Sequence, residues 1–119
     1  MQTCVICCIN AAGEEYHRIA MLKGDTTLLL CNTTKSSGVQ WTHNTTKGEF
    51  SYVYINGTIQ GSFASRFSVE GHSLNIYNTH IGDSGCYVCY ENDDVRRFGY
   101  ELNVTGKKTV NNVTPIIVV

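Results

Sequence analysis

The chain lacks a basic stripe. Its formal net charge is −1 and 16% of its residues are charged, so nucleic acid is not an expected partner. It also lacks an acidic block, so nothing suggests a charged disordered tail. Proline is nearly missing, with Pro115 the only one. No helical periodicity holds over a long window, and no internal repeat or low-complexity tract is present. Long apolar runs are absent too: Val5 to Ile9 and Pro115 to Val119 are the short ones at the two ends, and a bilayer span needs about 20 apolar residues. Catalytic patterns are also missing. Neither Ser nor Cys sits in a nucleophile motif, and no carboxylate pair is placed for acid–base work. The chain is therefore expected not to be an enzyme and to take no cofactor, metal or small-molecule substrate.

What is present is a string of short β-rich runs separated by turn residues, in 119 residues that make one domain with a real core. In order, the expected strands are Tyr16–Leu22, Thr26–Cys31, Val39–His43, Glu49–Ile55, Thr58–Gln60, Ser65–Glu70, His72–Tyr77, Gly85–Glu91 and Arg96–Thr105. Asn56-Gly57 between the fourth and fifth is a strong tight-hairpin signal. Period-2 alternation puts Leu29, Cys31, Val39, Trp41, His43, Leu74, Ile76, Leu102 and Val104 inward. The fold class is therefore all-β, as expected for a sandwich.

Cys31, Trp41 and Asp83-Ser84-Gly85-Cys86-Tyr87-Val88-Cys89 form a Cys…Trp…Cys pattern of the kind found inside immunoglobulin-type sandwiches. Together with Gly24-Asp25, Arg66-Phe67 and Leu74-Asn75-Ile76, they make residues 16 to 106 resemble a V-set immunoglobulin-superfamily domain. Two short strands between Trp41 and Arg66 favour the variable type, which adds C′ and C″. The resemblance implies an immunoglobulin-like sandwich of two antiparallel sheets with Greek-key connections, and a disulfide between Cys31 and Cys89. Inward parity and Tyr87 two places earlier select Cys89 over Cys86. It also implies an Arg66–Asp83 pair closing one end of the sandwich, and a Trp41 packed on the bridge. Phe98-Gly99 with Leu102-Asn103-Val104 is similar to the joining-segment strand of antigen receptors, but Glu101 stands in place of the second Gly. A germline-encoded receptor is the better expectation.

Five Asn-X-Thr sequons, at Asn32, Asn44, Asn56, Asn103 and Asn112, argue for passage through the secretory pathway. That compartment permits disulfides. Residues 1–13 read either as the tail of a signal peptide or as a mature N-terminal extension, 14–106 as the domain, and 107–119 as a stalk that can lead into a membrane anchor. Cys4, Cys7 and Cys8 lie in the first segment. Cys4 and Cys7 make a C-x-x-C, but no second C-x-x-C accompanies it and the histidines lack ligand spacing. Cys86 points outward by parity. It is expected to join an extra disulfide with one of those three, to bridge two chains, or to remain a surface thiol.

The best binding signal is aromatic. Phe50, Tyr52 and Tyr54, with Tyr90 and the arginines Arg96 and Arg97, are expected to share the open face of the sheet built from strands G (Arg96–Thr105), F (Gly85–Glu91), C (Val39–His43) and C′ (Glu49–Ile55). Tyr- and Arg-rich patches are typical interface anchors. Asn44 and Asn103 share the outward parity of that sheet, so sugars there would hinder symmetric face-to-face pairing. The expected function is the extracellular recognition module of a cell-surface immune-type receptor, on a type I membrane protein or secreted, binding a protein on another cell or in cis. Homophilic adhesion through a homodimer and a secreted or pathogen-encoded decoy are the alternatives.

Overall fold

The computed structural model describes residue 8 and residues 16–33, 38–91 and 96–106, without the side chains of residues 96 and 97. In chain order the strands are β1 His17–Leu22, β2 Thr27–Leu29, β3 Val39–Thr45, β4 Phe50–Ile55, β5 Thr58–Ile59, β6 Phe67–Glu70, β7 Ser73–Ile76, β8 Gly85–Glu91 and β9 Arg96–Thr105. Short 3₁₀ turns occupy Gly61–Ser65 and Ile81–Asp83. A six-stranded sheet runs β1-β9-β8-β3-β4-β5, and a three-stranded sheet runs β2-β7-β6. The first holds the lettered strands G, F, C and C′ as β9, β8, β3 and β4.

This is the expected V-type sandwich, with local differences in strand bounds and direction. The strand expected from Ser65 begins at Phe67, because Ser65 closes a 3₁₀ turn in which the Arg66 N–H bonds the Phe63 carbonyl. The strand expected to reach Cys31 stops at Leu29, where its pairing with β7 ends. The sheets are antiparallel except for β1, which lies parallel to β9. The chain runs along the outside of β9 before the Gly24-Asp25 turn carries it across to the other sheet, so first and last strands point the same way.

The core lies between the sheets. Leu29, Trp41, Val53, Leu74, Ile76, Tyr87, Cys89 and Leu102 are wholly buried, each worth about 1.5–3 kcal/mol relative to exposure for the aliphatic ones. The inward positions of β3, Val39, Trp41 and His43, are all buried. Cys31 and Cys89 are bonded across this core. The Trp41 indole N–H donates to the His72 carbonyl at 2.8 Å, which satisfies its one polar group. Tyr100 stacks beside Trp41 at 6.2 Å and donates its hydroxyl to the Leu30 carbonyl. The β4–β5 hairpin turns through Asn56 and Gly57, with φ of 55° and 77°. Two successive positive φ values are what a type I′ turn needs.

Candidate functional site

The open face of the larger sheet is set by the alternation that buries Trp41 and His43. Asn44, Thr42 and Gln40 face the other way on β3, as do Cys86, Val88 and Tyr90 on β8. Pairing then builds cross-strand rows. Tyr52, Thr42, Val88 and Gly99 stand side by side, and next to them Phe50, Asn44, Cys86 and Glu101; Tyr52 and Phe50 are exposed, Thr42, Val88 and Gly99 are buried, and Asn44, Cys86 and Glu101 are half-buried. Phe50 and Tyr52 are 54% and 44% exposed and meet edge to face, 5.2 Å between ring centres and 83° between planes. Tyr90 is half-buried. The side chains of Arg96 and Arg97 lie outside the described residues.

Tyr54 does not join them. The register slips between Trp41 and Thr42, so that Trp41 pairs with Tyr54 while Thr42 pairs with Tyr52. Val53 becomes the extra residue and is fully buried. A bulge shifts the alternation by one position, so Tyr54, expected outward, instead packs half-buried against the core. Ile55 is only half-buried and lies outside the core cluster.

Cys86 is bonded to Cys8. This ties the chain ahead of β1 to the open face of β8, and while the bond stands the Cys86 thiol cannot bridge two chains. Cys4 and Cys7 fall outside the described residues, as does Asn112. Among the other sequons, Asn32, Asn56 and Asn103 are exposed and Asn44 is half-buried. Asn32 sits at the lip of an open cleft of about 430 Å³ that Glu70, His72 and Ser73 also line. Among the described residues no group of three or more His, Cys, Asp or Glu side chains could hold a metal ion.

One end of the sandwich is closed by a polar network built on Asp83-Ser84-Gly85. The Arg66 guanidinium donates to both Asp83 oxygens, at 2.8 and 2.9 Å. The His80 N–H donates to Asp83 at 2.7 Å. Tyr87 donates its hydroxyl to the Asp83 carbonyl at 2.5 Å, and the Ser84 hydroxyl accepts the Val104 N–H at 3.0 Å. Burial works against charge on Asp83, but the bonds from Arg66 and His80 outweigh it and hold the carboxyl below its usual range. The same pairing raises Arg66. This is a bidentate, partly buried pair, not a loose surface one.

His43 is the least visible member in sequence. It is 4% exposed, lies flat on Tyr87 with ring centres 4.2 Å apart, and places Nε2 3.2 Å from the Ser84 carbonyl. That carbonyl requires the neutral ring to carry its proton on Nε2. Burial lowers the imidazole pKa, partly offset by the Ser84 bond and the Asp83 charge. Below about 6.5, the ordinary imidazole value, the unfolded chain gains a proton that the folded one refuses, so stability falls as pH drops. Asp83 adds a second loss at lower pH. Its stabilisation is complete above 3.8 and disappears as pH falls through its lowered folded value. The melting temperature is expected to fall between about pH 7.5 and 5.5, and His43→Phe, which keeps the stacked ring, to flatten that slope. An unchanged slope in thermal scans of the variant would overturn the assignment to His43.

The model of the immunoglobulin V-set domain matches residues 16–106. No curated protein sequence matches the chain. Solved structures do. The extracellular fragment of novel immune-type receptor 10 from Ictalurus punctatus is 20% identical at a TM-score of 0.60, covering 75% of this chain and 97% of that one. The first Ig domain of mouse polymeric immunoglobulin receptor is 16% identical at a TM-score of 0.61, covering 78% and 93%. The extracellular domain of the voltage-gated sodium channel β4 subunit is also 16% identical at 0.61, covering 85% and 94%, and that protein forms parallel homodimers linked to cell–cell adhesion.

Proposed function

Because the chain belongs to the immunoglobulin V-set family, we propose that it is the extracellular recognition module of a cell-surface immune-type receptor and binds a protein partner through the face of β9, β8, β3 and β4. The carrying observation is the Phe50–Tyr52 pair. The core is closed by Trp41, Tyr87 and Tyr100 without it, yet two large rings stand exposed on the sheet. Leaving such rings in water is unfavourable unless a partner covers them. Aromatic rings with few rotatable bonds are also the side chains that anchor interfaces. The sequons and the two disulfides among the described residues suit an extracellular location.

A labelled, glycosylated ectodomain is expected to stain cells that bear its partner. Tyr52→Ala should weaken that staining about 10-fold or more, the loss typical of an interface anchor. Tyr77→Ala, which removes a 44% exposed ring from the end of the opposite sheet, should leave it unchanged. Equal loss in both variants, or in neither, would overturn the assignment of the face. Homophilic adhesion uses the same surface. Sedimentation of the free ectodomain separates the two, since a dimer at micromolar protein that Tyr52→Ala dissolves favours adhesion.

A further inference from the structure

The sequon at Asn44 differs from the other described ones, at Asn32, Asn56 and Asn103, in what stands opposite it. Asn44 pairs across the β3–β4 ladder with Phe50, and on its other side with Cys86. Directly opposed residues on one face have Cβ atoms about 4.5–5.5 Å apart. Phe50 is 54% exposed and braced edge-on by Tyr52. The half-buried Asn44 side chain makes no hydrogen bond to any described residue. Thr46, which completes the sequon, is exposed in the β3–β4 turn. That turn is held by the Thr45 hydroxyl, which accepts from the N–H groups of Lys47 and Glu49 at 3.2 and 3.0 Å. By contrast, Asn103 pairs with Ala20, Asn56 lies in the hairpin turn, and Asn32 lies at the polar cleft.

We propose that Asn44 carries an N-linked glycan whose first N-acetylglucosamine lies on the ring of Phe50, so that the exposed phenylalanine is a seat for the chain's own sugar. The chemistry of the fit is simple. One face of a pyranose ring presents only C–H bonds, and an exposed aromatic ring offers a negative face that attracts them while removing apolar area from water. In the transfer, the Asn44 amide nitrogen forms a bond to C1 of the sugar of a lipid-linked oligosaccharide. The C1–oxygen bond to the lipid pyrophosphate breaks, the pyrophosphate leaves with that electron pair, and the amide loses one proton. No oxidant or reductant enters. Transfer precedes folding, and folding then brings Phe50 beside the sugar.

The inference rests on the secretory reading of the chain and narrows its binding face. The sugar takes the Phe50 end, and Tyr52 with Tyr90 is left to a protein partner.

Four forms of the chain secreted from a glycosylating eukaryotic host decide the matter: wild type, Thr46→Ala, Phe50→Ala and both together. Thr46→Ala removes the sequon without touching Asn44 or the aromatic pair. Mass spectrometry after enzymatic glycan release in heavy-oxygen water is expected to show Asn44 occupied in wild type. Thr46→Ala and Phe50→Ala should each lower the melting temperature by about 4 °C, and the double variant should lower it no further. In protein from a bacterial host, Phe50→Ala should then cause no such loss. An unoccupied Asn44 overturns the proposal, and so do additive losses in the double variant. The partner reading fails separately, through the Tyr52→Ala staining, whether or not Asn44 is occupied.

Discussion

Gly85→Ala is expected to remove about 3 kcal/mol or more of stability, a large part of the 5–15 kcal/mol that a domain of this size holds. Two costs add. Gly85 sits at φ 142°, a region that side chains rarely enter, and such strain costs about 1–3 kcal/mol. A Cβ there would lie 2.2 Å from the Asn44 carbonyl oxygen and 2.7 Å from His43 Nε2. Neither obstacle can yield. The oxygen belongs to the backbone of β3, and the ring is clamped between Tyr87 and the Ser84 carbonyl. Overpacking of that kind costs about another 1–3 kcal/mol. Gly82→Ala, three positions earlier with nothing within 4 Å, should stay within about 0.5 kcal/mol of wild type. Urea denaturation of both variants checks this. A Gly85→Ala loss below about 1 kcal/mol would show that the β3–β8 end adapts freely and that neither obstacle is rigid.

The Cys31→Ala, Cys89→Ala double variant is the second large effect. The bond joins residues 58 apart in sequence. In the chain-entropy model, releasing a loop of that length costs about 4 kcal/mol through the unfolded state. Replacing both sulfurs also leaves space beside Trp41, whose surroundings are wholly buried, and cavities add to the loss. The variant is expected to be mostly unfolded at body temperature by near-ultraviolet circular dichroism, where Trp41 reports its packing. A native-like spectrum with a small shift in melting temperature would show that the hydrophobic core alone holds the sheets together. The Cys8–Cys86 bond closes a longer span of 78 residues, but it lies on the open face, so its removal opens no space in the core.

Much of the fold was legible because strand alternation is a local property. The inward set on β3, β7 and β9 follows from a period of two and a few apolar side chains, and the structure buries each of those positions. The tight turn at Asn56-Gly57 is equally local, since it rests on the tolerance of those two residues for positive φ. Tyr54 shows where that reasoning stops. Nothing in Phe50 to Ile55 marks a bulge, because a bulge is a slip between two strands and is decided by how β4 meets β3 around Trp41. His43 is a second instance. Its inward parity was readable, but its stacking on Tyr87 and its contact with the Ser84 carbonyl join residues about 40 apart in sequence.

The sequence by itself determined the V-type sandwich, the cysteine that crosses the core, and the presence of aromatics and sequons on β4 and β3. Each depends on residue type and short-range spacing. Only the tertiary structure decided which aromatics stay on the open face, which glycan acceptor stands beside Phe50, and which of Cys4, Cys7 and Cys8 bonds Cys86. These are matters of register and of long-range approach. They are settled when the strands pair, because a slip of one residue exchanges the two faces of a strand.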